Sequence, residues 1–198
     1  MSKLIKAYVR IIDRFNRRIG RMAMYLLFVM MAILLWSSIS KTFFVPELWT
    51  LEMAQFAMVA FYMLGGPYSI QMGSNVRMDL FYGDWSVRRK AWTDAITVGF
   101  LIFYLVVLLW GGLSSTAYSL GYFSPDTFSF YASLVGAFLT GGPEAAAAEL
   151  GHMERSATAW RAYLWPIKVT MCIGIFLMLL QAVCELGKDI LRIRGVEF

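Results

Sequence analysis

The side chains able to do chemistry are few and are spaced poorly for it. The chain has one histidine, His152, in a polar stretch. Two cysteines, Cys172 and Cys184, lie in the last apolar segment without a CxxC spacing or a neighbouring histidine. They read as thiols buried in lipid, and no metal site is expected. A membrane b-type cytochrome needs axial histidines inside its helices, and none is there, so a haem-bearing anchor is disfavoured. No Gly-rich phosphate loop, nucleophile elbow or metal-ligand spacing is present. An intramembrane protease would need a Ser–His pair or two aspartates within spans, and the aspartates here fall in loops or at helix ends. The chain is therefore read as a non-enzyme without a cofactor. Glu52 is the one carboxylate well inside an apolar stretch, and an ionisable group in a membrane segment is a functional hypothesis by default. One chemistry for it is proton exchange. The other follows from its closeness to Trp49 and Glu47: a carboxylate near the outer interface, hydrated or paired with a cation on a partner.

These residues sit in a chain built for a bilayer. Of 198 residues 59% are hydrophobic and only 16% charged, with a net charge of +5. A soluble domain carries about 25% charged residues. Disorder, collagen and a nucleic-acid arm are excluded on the same grounds, so no nucleic-acid partner is expected. The expected fold is an all-α integral membrane protein, a single membrane domain over 1–198 with four transmembrane helices. At about 20 apolar residues per span, a chain of this length cannot form a large transporter, so a transport role implies a partner.

Residues 1–21 alternate apolar and basic positions at helical spacing, with Leu4, Tyr8, Ile11, Ile12, Phe15 and Ile19 on one side. They predict an amphipathic leader helix lying on an anionic membrane surface, with Arg14, Arg17 and Arg18 meeting lipid headgroups. Transmembrane helices follow at 22–40, 49–71, 95–119 and 165–186. Residues 72–94 form a polar connector arm. Gly111 and Gly112 offer a close helix contact. Residues 120–164 are expected as an outer loop with an interfacial or re-entrant piece. Within them Phe128 to Gly142 is apolar but short, and the following Pro143–Glu144 and alanines read as a helix start. A fifth short span is the alternative. Trp36, Trp49, Trp110, Trp160 and Trp165 fall near span ends, as an interfacial belt.

Charge sets the orientation. The leader, the connector and the C-terminal tail hold 14 of the 18 Lys and Arg residues. The positive-inside rule then places both termini in the cytoplasm. A fifth span would put the basic tail outside, against its own charge.

Three segments add a family signal: FYMLGGPYSIQMGSNVRMDLFYG at 61–83, YLVVLLWGGLSSTAYS at 104–119, and ERSATAWRAYLWPIKVTMCIGIFLMLLQAVCELGKDILRIRG at 154–195. With the Trp49–Glu52 pair opening helix two, they resemble the small membrane subunit, DctQ-type, of tripartite ATP-independent periplasmic (TRAP) transporters. The family pattern after helix two, a basic residue and an aspartate flanking a hydrophobic one, matches Arg77–Met78–Asp79. The Leu164–Lys168 stretch resembles a subgroup linked to organic acids such as 2-oxo acids. One departure is an insertion, roughly Gly121 to His152, in the outer loop.

The resemblance implies a brace without chemistry of its own, in a bacterial inner membrane. In this family a periplasmic binding protein captures an organic acid, and a large membrane subunit carries it inward by an elevator motion coupled to sodium. The small subunit packs beside the stationary part of the large one. It implies partner-interface roles for Trp49, Glu52, Trp165 and Lys168, and a cytoplasmic arm fixed through Arg77 and Asp79. The expected partners are the large subunit, the binding protein and membrane lipids. The opposing reading is a self-sufficient small proton-coupled transporter, a homodimer working through Glu52.

Overall fold

The structure is a computed structural model of the chain, and it describes residues 2–73 and 85–193. Among the described residues five helices follow in order: α1 Ser2–Phe43, α2 Thr50–Met72, α3 Val87–Ser119, α4 Thr127–Ala148 and α5 Trp165–Ile193. Among the described residues there is no strand, only an isolated antiparallel bridge between Arg155 and Tyr163. Among the described residues three helices are long and apolar enough to cross a membrane, over Ile5–Phe43, Arg89–Ser119 and Trp165–Ile193. The 23-residue α2 carries Glu52, Gln55 and Gln71 and holds Pro67 within it. At 1.5 Å per residue it is still about 34 Å long.

The central element is α5. It packs against α1, α2 and α3. Helices α1 and α2 also pair with each other, antiparallel along their length: the Thr50 hydroxyl meets Ser37 Oγ at 3.1 Å near one end, and Gln71 Nε2 donates to the Asp13 carbonyl at 3.2 Å near the other. The apolar centre is small. Leu105, Ile175 and Ala182 are buried, with Met63, Met171 and Met178 packed on them. Close approach substitutes for bulk. A Cβ at Gly174 would stand 2.7 Å from the Met63 carbonyl oxygen, so the absent side chain lets α2 and α5 meet backbone to backbone. Of the Gly111–Gly112 pair, only Gly112 faces α5, beside Cys172.

Large apolar side chains point outwards instead. Phe100 is 73% exposed and Phe103 70%. They continue a stripe from Ile96 through Val107 to Trp110 at helical spacing. In water such a face would be an aggregation hazard. In a bilayer it meets a solvent as apolar as itself.

One expectation changes. The surface-lying leader is not a separate helix: residues 2–21 are the first half of α1 and run unbroken into the apolar half. Nothing between Ile19 and Met24 stops a helix, since one glycine costs only about 1 kcal/mol. Its inner face is occupied: Val9 and Asn16 are buried, each 1% exposed. In the outer loop the short apolar piece and the Pro-Glu helix start are two helical limbs, together α4, joined across a break at Gly142, so Pro143 opens a helix as its sequence implies. Gly142 has φ 75° and ψ −167°, a conformation open to glycine, and Pro143 withholds the next N–H. Among the helices α4 leans chiefly on α3. Tyr131 donates its hydroxyl to the Leu113 carbonyl at 3.0 Å, and Trp110 meets Phe128 edge to face.

Candidate functional site

Two polar clusters lie at opposite ends of α5. The first joins α5 to the basic half of α1. Gln181, fully buried, accepts from Asn16 Nδ2 at 2.8 Å. Its own Nε2 donates to Asp13 Oδ1 at 2.8 Å and to Glu185 Oε1 at 3.0 Å. Lys188 closes the ring, 3.1 Å from Asp13 and 2.7 Å from Glu185. Two carboxylates thus share one ammonium and one amide, and charge-assisted bonds of this kind are the strong ones. The cluster ties α1 to α5 at this end. The sequence reading missed it, although the signal was there: Gln181, Glu185 and Lys188 recur at i, i+4 and i+7, and Asp13 and Asn16 share one face of the leader.

The second cluster shapes the opposite end. Lys168, at the start of α5, lies 2.6 Å from Glu154 and donates to the Ser115 carbonyl at 3.2 Å. It also sits over the Tyr118 ring. Glu154 in turn anchors the loop through its backbone, with its N–H on the Ser119 carbonyl at 3.0 Å and its carbonyl taking the Leu164 N–H at 3.3 Å. Arg155 stacks on Tyr163 and bonds its hydroxyl. The loop is thereby pinned to α3 and α5 on both sides.

Glu52 belongs to neither cluster. It sits in the first turn of α2, where the helix dipole favours a negative side chain. Its sequence position reads as an interfacial carboxylate, hydrated or paired with a cation on a partner; it is only 3% exposed, and neither carboxylate oxygen has a hydrogen-bond partner among the described residues. A buried lone carboxylate is costly. Relief requires a cation or donor from beyond the described residues.

Trp49, half-buried, occupies the position just before α2. Trp165 opens α5 and is 38% exposed. Lys168 is spent on Glu154. Arg14, Arg17 and Arg18 are exposed on α1. Arg77 and Asp79 lie outside the described residues. His152 is exposed in the loop, while Cys172 and Cys184 are buried free thiols. Among the described residues no three His, Cys, Asp or Glu side chains come together to hold a metal ion.

A family model described as the DctQ component of tripartite ATP-independent periplasmic transporters matches residues 30–192. No curated protein and no solved structure matches the chain.

Proposed function

The chain belongs to the DctQ family of TRAP transporters, and from that premise we propose that it is the small membrane subunit that braces the large, elevator-type subunit of a sodium-coupled importer of an organic acid, in a bacterial inner membrane. The observation that carries this reading is the locked bundle. Elevator transport needs an immobile frame, because carrier motion is productive only relative to a fixed part. The ring of Asp13, Asn16, Gln181, Glu185 and Lys188 ties α1 to α5, and the Gly174–Met63 contact ties α2 to α5. Such a body resists deformation, while its outward apolar stripes suit lipid and a membrane partner.

The span count follows the same logic. Because α2 pairs with α1 from Thr50–Ser37 to Gln71–Asp13, it crosses the bilayer wherever α1 does, giving four spans with α3 and α5. Both termini then face the cytoplasm, with the basic half of α1 extending past the headgroups, where Arg14, Arg17 and Arg18 meet anionic lipid. Trp49 and Glu52 lie at the outer end, where a cation of the large subunit would satisfy the carboxylate. Trp165 is a partner contact on the same side. Lys168 acts there by ordering the loop that faces the periplasmic binding protein. Arg77 and Asp79 fix the cytoplasmic arm.

The unpartnered carboxylate also favours a second reading, a homodimer coupling to protons through Glu52. Replacement by glutamine separates the two. With Glu52→Gln, a brace keeps transport in the assembled system or loses part of its assembly. A proton exchanger keeps its assembly and loses all coupling. Uptake of labelled organic acid by proteoliposomes, together with the yield of co-purified large subunit, reads both.

A further inference from the structure

Helix α4 leaves an open apolar groove beside it. After its first turns on α3 it swings away, breaks at Gly142, and returns so that Gly151 donates its N–H to the Leu120 carbonyl at 3.0 Å. Between α3, α4 and α5 this leaves a cavity of about 890 Å³, walled by apolar side chains that include Leu113, Leu134, Phe138, Ala147, Ile173 and Phe176. Its volume lies in the range of about 300–1,000 Å³ typical of small-molecule sites. A thin, flexible apolar chain fits along it.

The cavity has a polar neighbour. Met153 lines it and also lines an adjoining pocket of about 490 Å³ that holds His152, Glu154, Arg155 and Arg161. Glu154 is neutralised there by Lys168, so the two guanidiniums set the sign, and guanidinium is the group best shaped for a phosphate. Trp165, in the cavity wall, has the amphipathic ring that settles at headgroup depth.

We infer that this cavity and its cationic rim form a binding site for one anionic phospholipid, with acyl chain between α3, α4 and α5 and phosphate at Arg155 and Arg161. The lipid replaces a core that α4 lacks and holds the kinked helix against the bundle. This site differs from the lipid-facing stripe of Phe100 and Phe103, which any annular lipid touches on one side only. The inference stands on the cavity and its rim and does not depend on the brace reading.

The test is photolabelling with phosphatidylglycerol carrying a diazirine on one acyl chain. The chain is held in nanodiscs of phosphatidylglycerol and phosphatidylethanolamine, alone and with the membrane protein that co-purifies with it. Labelled peptides are then mapped. The expected result is severalfold denser label on 131–150 and 169–176 than on 96–110, in both samples. Ala147→Trp should remove the excess by filling the cavity, and Arg161→Gln should reduce it severalfold. The wild-type map stands even if Ala147→Trp misfolds. Equal label density on the cavity and on 96–110 would overturn the inference. So would an excess that vanishes on co-assembly, which means a protein occupant, or one that a diazirine fatty acid without phosphate competes away.

Discussion

The two flanks of α5 are built by different means. On one side α1 and α2 are tied to it by a charged ring and by backbone contact at Gly174. On the other side α3 packs well, but α4 beyond it touches little and leaves a cavity. Polar bonds and glycine contacts specify one geometry, because a half-satisfied ring or a displaced helix costs at once. An apolar cavity specifies little. The first flank is thus suited to a fixed frame, and the second to an attachment that something else completes. Residues 121–152 make up most of that second flank.

This contrast can be broken by mutation, and the largest effect is expected at Lys188. Lys188→Met leaves the Asp13 and Glu185 carboxylates facing each other without their shared cation. Breaking a buried pair costs about 3–5 kcal/mol, and the partial exposure here lowers that to about 2–3 kcal/mol. Thermal unfolding of the chain in mild detergent, followed by circular dichroism, should show the drop. An unchanged midpoint would mean that the ring does not hold α1 to α5. Gly174→Ala comes next. Its methyl group would press on the Met63 backbone, and overpacking of this kind costs about 1–3 kcal/mol. The same melt reads it, with α2 loosened in proteolysis. The smallest effect is expected across the molecule, at Phe138→Ala on α4. Because Phe138 is 56% exposed and borders the cavity, its loss should cost less than about 1 kcal/mol, against the 3–5 kcal/mol of a packed phenylalanine. A cost as large as that of Lys188→Met would erase the difference between the flanks. Amide exchange sharpens the comparison further: 143–150 should exchange well before 171–185, since local opening follows contact density.

Much of this architecture was legible in sequence, and the reasons differ by element. The apolar runs at 22–40, 95–119 and 165–186 are long and nearly uncharged, so the helices that hold them could be found, although α1 begins at Ser2, α3 at Val87 and α5 runs on to Ile193. The leader was harder. Its arginines suggest a surface helix, yet Asp13 and Asn16 point the other way only when Gln181, Glu185 and Lys188 are set opposite them, and that pairing spans more than 160 residues. Periodicity within one segment does not reveal it. The kink in α4 was half visible, because Gly142–Pro143 marks a break but not which way the chain turns. The burial of Glu52 was not visible at all. Its place one turn into a helix beside Trp49 is equally consistent with an exposed interface, and only the packing of α1 against α2 decides.

The central claim is that this chain is a frame for another membrane protein. The most direct measurement is a tagged pull-down from native membranes in mild detergent, with mass spectrometry of what accompanies the chain. The brace account predicts a large polytopic membrane protein in stoichiometric yield. A chain that elutes alone as a homodimer, with Glu52 at the centre of its function, would contradict it.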